Sequence, residues 1–170
     1  MSGIIGDNQG RSSGLVKAAA GGGNNTPAFF AVLGSNQTIA ASTDVKIEVD
    51  TEELDTDSSY DSSTNYRFTV PNGEGGKYLV CFQIRRGGWG SNRLIAMVKV
   101  NGSGENLVTA EDECSGINDY ASAGTGLILS LDADDYIELY ANQNSGGEKE
   151  IFGSTTDRGT YFGAVKLIGV

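Results

Sequence analysis

The sequence contains no histidine. That absence excludes Ser-His-Asp and Cys-His nucleophile systems, every His-ligated metal site and any histidine-based pH switch. Cysteine is scarce, at 2 residues, too few for a disulfide framework. Proline is equally scarce, and no apolar run is long enough to cross a bilayer. Basic residues are outnumbered, 12 against 22 acidic, for a formal net charge of −10. Such an acidic chain repels nucleic acid and anionic lipid, so neither nucleic-acid binding nor membrane insertion is expected.

Glycine is abundant, at 25 of 170 residues. It follows no Gly-X-Y period, which excludes collagen, and its density argues against a helical bundle. A chain of this length suits one domain with a real core. Composition shifts near Thr26: the residues before it are small and polar and end in Gly21-Gly22-Gly23-Asn24-Asn25, a flexible-linker composition. The reading is therefore an N-terminal arm over 1–26 and one domain over 27–170. The arm lacks the early positive charge and apolar run of a secretory signal, so synthesis in the cytoplasm, or export without a cleaved signal, is expected.

From Pro27 onward, apolar runs recur between Gly, Asn, Asp and Ser, which predicts an all-β domain. Val45, Ile47 and Val49 alternate with polar residues. Tyr78, Val80, Phe82 and Ile84 share one face of a strand, as do Leu94, Ala96, Val98 and Val100. Leu127, Leu129 and Leu131 lead through Asp132-Ala133-Asp134-Asp135, a turn composition, to Ile137 and Leu139. Cys81 reads as a small buried hydrophobe, and the acidic neighbours of Cys114 disfavour a reactive thiolate.

Two runs break the alternation. Ala28-Phe29-Phe30-Ala31-Val32-Leu33 is apolar on both faces, and so, largely, is Tyr161-Phe162-Gly163-Ala164-Val165-Lys166-Leu167-Ile168. An antiparallel sandwich normally wets its outer face. These strands therefore predict a sheet covered on both sides, with another subunit as the cover and Phe29, Phe30, Tyr161 and Phe162 as interface candidates. The alternative is a strand merely central in a curled sheet.

Two other segments concentrate charged or aromatic side chains. Asp50, Glu52, Glu53, Asp55, Asp57 and Asp61 crowd one stretch, but not in EF-hand register, and solvated loop charge is the simpler reading. No metal or other cofactor is expected. Arg85, Arg86, Trp89 and Arg93 fall in a glycine-rich hairpin tip that holds the only tryptophan. They are candidates for binding a sugar or a partner protein; the alternative packs Trp89 on the end of the sandwich. Nothing sets two carboxylates at a catalytic separation, so a non-enzyme is expected.

The opening strand Pro27-Ala28-Phe29-Phe30-Ala31-Val32, Tyr60-Asp61 ahead of Phe68, and Gly76-Lys77-Tyr78-Leu79-Val80 follow the order of a known superfamily. So do Leu129-Ser130-Leu131 before Asp135-Tyr136-Ile137-Glu138-Leu139, and the closing Tyr161-Phe162-Gly163-Ala164 with Leu167. Together they resemble the C1q/TNF-like jelly rolls. The resemblance implies an antiparallel jelly-roll β-sandwich of the ten-strand type that assembles as a homotrimer and binds partners rather than catalysing. The collagen stem is missing.

The arm carries a second resemblance. Met1-Ser2-Gly3-Ile4-Ile5-Gly6 and Gly10-Arg11-Ser12-Ser13-Gly14-Leu15-Val16-Lys17 resemble leaders of virion structural proteins of marine and cyanobacterial tailed phages. That resemblance implies a docking tag, with Ile4, Ile5, Leu15 and Val16 filling pockets on another virion protein of the capsid or tail. Arg11 and Lys17 outnumber Asp7 there, so the arm is basic while the domain is acidic. Extended, it reaches about 85 Å, enough to cross a capsid or tail surface but too short for a fibre shaft. The reading is a virion-surface knob assembled in the host cytoplasm, either decorating the head or acting as a short tail fibre that binds host glycan or protein. The competing reading is a secreted carbohydrate- or protein-binding C1q-like module.

Overall fold

The computed structural model describes residues 25–88, 92–103, 108–114 and 120–168. Among these residues there are thirteen strands and no helix. They are β1 (Ala28–Val32), β2 (Gln37–Ile39), β3 (Val45–Lys46), β4 (Thr51–Asp55), β5 (Tyr60–Asp61), β6 (Arg67–Thr69) and β7 (Gly76–Arg86). Then follow β8 (Asn92–Val100), β9 (Val108–Cys114), β10 (Ala121–Leu131), β11 (Tyr136–Gln143), β12 (Lys149–Ile151) and β13 (Tyr161–Lys166). The excess over a ten-strand plan comes from short pieces such as the two-residue β3 and β5.

The strands form two antiparallel sheets. The first runs β2-β12-β7-β13-β1-β4, with β10 along the other side of β7. The second runs β5-β6-β11-β8-β9, with β3 against β11. The β7–β10 pairing is unbroken from Ala121 opposite Arg86 to Leu131 opposite Gly76. The expected alternation is realised there: Tyr78, Val80, Phe82 and Ile84 are all buried between the sheets. Leu94, Ala96 and Val98 meet them from β8, and Ile137 and Leu139 from β11.

Aromatic rings fill one end of this core. Phe29 stacks on Tyr60 at 4.6 Å and 7° and on Phe68 at 4.9 Å and 14°. Phe162 meets Phe29 edge-on at 5.1 Å and 79°. Both arrangements suit the ring quadrupole. The Tyr60 hydroxyl donates to the Val49 carbonyl at 2.8 Å, so its polar end is satisfied inside.

The acidic stretch expected as loop charge is partly strand, because Glu52, Glu53 and Asp55 lie in β4 and Asp61 in β5; its carboxylates, like those of Asp132–Asp135, also hold the adjoining turns. Asp134 adopts φ 70°, the Asp135 amide donates to the Asp132 carbonyl, and the Asp132 amide donates to Asp135 Oδ2 at 2.8 Å. Asp55 accepts from the amides of Asp57, Ser59 and Tyr60. Asp61 accepts from the amides of Thr64, Ser63 and Asn65, which hold its carboxyl well below the usual carboxylate range. Side chains that compete for backbone amides in this way favour turns over strands.

Candidate functional site

The first sheet has an outer face that no other part of the described chain covers completely. Strand β1 shows how the sequence produces it. Phe29, Ala31 and Leu33 belong to the core, so Phe30 stands on the opposite face of the pleat. Phe30 is half-buried and lies 5.5 Å from the ring of Tyr161, two positions before Gly163 on the neighbouring strand. Leu54 faces Phe30 from β4 and is 49% exposed. Further across, Leu79 of β7 pairs with Ile128 of β10, and these two are 41% and 61% exposed.

The four residues expected at an interface are thus divided. Phe30 and Tyr161 stand on the outer face. Phe29 and Phe162 do not: they are buried between the protomer's own sheets, because adjacent residues of a strand point to opposite sides. Leu54, Leu79 and Ile128 belong to the face but lay outside the sequence reading. Their signal was present in β7, where Leu79 occupies the position opposite the Tyr78 and Val80 face. Cys81 is corrected in the same way. It is half-buried on the outer face, not in the core, between Gly163 and Gly126 on the flanking strands.

This surface already disfavours charge. Burial pushes the Cys81 thiol and the Tyr161 hydroxyl up from their ordinary values. Gly163 lets the face close over itself. A Cβ there would lie 2.9 Å from Phe30 Cδ2 and 3.4 Å from Cys81 Sγ. On β10 the outward positions Gly124 and Gly126 carry no side chains, which leaves that edge strand flat beside Ile128.

The arginines of the expected ligand tip do not act together. Arg86 is fully buried, and its Nη2 donates to the Asn92 carbonyl at 2.9 Å. Arg93 is exposed on β8 and pairs with Glu111 at 3.8 Å. Arg85 points to the outer side, with its guanidinium 4.7 Å from the Tyr120 ring centroid and 5.1 Å from that of Phe152. Trp89 lies outside the described residues. So do Ile4, Ile5, Arg11, Leu15, Val16 and Lys17 of the arm.

Tyr120 and Phe152 open a cleft of about 440 Å³ at the end of β7. Its other walls include Asn36 and Thr38 from β2 and its approach, and Glu148, Lys149 and Glu150 around β12. Among the described residues no set of three Asp, Glu or Cys side chains converges as a metal site, and no helix could cross a membrane.

With two antiparallel sheets and this strand order, the domain is a C1q/TNF-like jelly roll. Solved structures show the same fold. Eiger TNF from S. frugiperda superposes with a TM-score of 0.62 at 14% identity, over 84% of this chain and 93% of that one. Murine APRIL gives a TM-score of 0.58 at 19% identity, over 82% and 98%. The globular domain of zebrafish complement 1qA protein gives 0.57 at 17% identity, over 83% and 96%. No protein-family model and no curated protein matches the sequence.

Proposed function

We propose that the chain is a non-enzymatic virion structural protein of a tailed phage: a homotrimeric surface knob held by its N-terminal arm. The observation that carries the assembly is the uncovered apolar outer face of the first sheet. Leu54, Phe30, Tyr161, Leu79 and Ile128 lie on one surface, where a monomer would leave them wet. The face and the flat β10 edge are different surfaces of one protomer. An edge seated on a neighbour's face is a heterologous contact, which closes into a ring when the rotation allows. The jelly-roll fold and the resemblance of the opening and closing strands support three as the number.

The virion setting is supported by the resemblance of Met1–Lys17 to phage leaders and by the opposed charges of arm and domain. In a trimer the arms attach together, so weak single contacts persist through avidity. A non-enzymatic role fits a histidine-free chain. The exposed end of the knob would either decorate the particle or bind a host-surface glycan or protein.

Mass photometry of the purified chain tests the assembly. A particle of three times 17.8 kDa is expected, and a stable monomer at micromolar concentration overturns the trimer. Deletion of residues 1–20 tests the anchor: the truncated knob should still assemble but be lost from particles. Normal incorporation would refute the anchoring role.

A further inference from the structure

The cleft at the end of β7 has walls that mix open aromatic surface with hydrogen-bonding groups. Tyr120 is 62% exposed, although it is a large ring in a folded domain. It is held in place nonetheless. Phe152 meets it edge-on at 6.2 Å and 78°, and the Arg85 guanidinium packs on both rings. The backbone supports the same geometry, since the Phe152 amide donates to the Arg85 carbonyl at 2.8 Å. An aromatic ring fixed by a guanidinium and a second ring, yet facing an open cleft, is a preorganised stacking platform.

The polar walls narrow the ligand class. Asn36 Oδ1 accepts from the Gly153 amide at 3.0 Å, which sets the orientation of the amide and leaves its NH₂ as the donor for the cleft. Glu148 and Glu150 place carboxylate acceptors nearby. On that wall two carboxylates outnumber the one cation, Lys149, so a phosphate or sialic acid would meet an excess of negative charge there and in the chain's net −10. A quaternary ammonium would meet Arg85, which already holds the cation position on both rings. An uncharged ligand with a C–H face and several hydroxyls satisfies both walls. The volume lies within the range of small-ligand sites.

We infer that this cleft binds a neutral hexopyranose unit of a glycan, with the sugar's C–H face on Tyr120 and its hydroxyls on Asn36 and the Glu148–Glu150 wall. The inference deepens the host-binding form of the function proposed above and rests on that reading for its biological setting. The cleft itself is built within one protomer. Its failure and the failure of the trimer are therefore separable.

The test is saturation-transfer NMR and calorimetry on the full chain. Maltotriose, lactose and N-acetyllactosamine serve as neutral probes, and sialyllactose as the anionic one. The assembly state is measured on the same samples. At least one neutral probe should bind through its ring C–H protons. Tyr120→Ala should weaken it about tenfold or more, while Tyr120→Trp retains it. Three results overturn the site: no neutral probe binds at millimolar concentration, sialyllactose binds better than all of them, or Tyr120→Ala binds as tightly as the parent. A fourth is dissociation of the assembly by Tyr120→Ala, which would make the ring a subunit contact instead.

Discussion

Phe29 and Phe30 are consecutive, chemically identical and on opposite sides of one sheet. Phe29 is 2% exposed and stacked between Tyr60 and Phe68, while Phe30 stands outside against Tyr161. Truncating each should therefore produce different failures. Phe29→Ala should cost about 3–5 kcal/mol in urea unfolding, because it opens a cavity in a ring cluster that has little room to collapse. Phe30→Ala should leave secondary structure and folding intact and shift the mass distribution from trimer toward monomer. Equal effects of the two substitutions on assembly would contradict the assignment of faces.

Gly153 should tolerate no side chain. A Cβ there would lie 2.1 Å from the Ser35 carbonyl oxygen, a backbone atom with no rotamer to yield. Gly153→Ala should lower stability by about 1–3 kcal/mol. At Gly163 the nearest obstacles are the Phe30 ring, at 2.9 Å, and the Phe29 carbonyl oxygen, at 3.1 Å, so Gly163→Ala should displace that ring and also press on the β1 backbone. Thermal melts alongside mass photometry separate the two: both lower the melting temperature, but only the second also weakens assembly.

Lys46 Nζ lies 2.5 Å from Glu138, whose side chain is 5% exposed and also accepts from the Tyr140 hydroxyl. Removing the lysine leaves a buried carboxylate without its cation. Lys46→Ala should cost on the order of 2 kcal/mol. Much of that loss should return in the double variant Lys46→Ala with Glu138→Leu, because no buried charge then remains. A denaturation cycle over the four proteins measures the coupling. Additive losses would show the pair to be independent.

Stability should fall at both ends of the pH scale, by different groups. Asp61 and Asp44 have folded-state values below the ordinary 3.8. Amides of Thr64 and Ser63 hold Asp61 down, and hydrogen bonds from Lys99 and Asn142 hold Asp44 down. Their contribution is complete above the unfolded value and is lost as pH falls below it toward the folded values. Burial instead pushes Tyr78 and Tyr140 up from 10.0 to about 12, with neighbouring Glu74 and Glu138 adding to the shift. For these hydroxyls stability is complete below pH 10 and lost between 10 and 12. Urea midpoints across pH, together with tyrosinate absorbance, check both limbs. Asp61→Asn should flatten the acid limb.

Where polarity alternates, the strands were legible in sequence. Tyr78 through Ile84 and Leu94 through Val98 bury the faces that period-two alternation assigns them. The turn at Asp132–Asp135 was equally plain, since carboxylates that accept amides make turns. Hydrophobicity cannot choose a face when both are apolar, which is why Phe29 and Phe162 could not be told from Phe30 and Tyr161. The cleft at the end of β7 was hidden for another reason. Arg85 and Arg86 are adjacent in sequence, but the pleat sends one outward and the other into the core. Tyr120 and Phe152 meet only because β10 and β12 both pair with the end of β7.

The last strand of the domain, β13, is hydrogen-bonded to β1 on one side and β7 on the other. It is a keystone laid last. During synthesis the middle of the first sheet stays open until the residues from Tyr161 onward leave the ribosome, so β1 and β7 wait with unpaired edges over an unfinished core. Closure of the first sheet is thereby deferred until β13 itself has been made. Chains broken off before that point carry two exposed edges and are the species from which aggregates would grow.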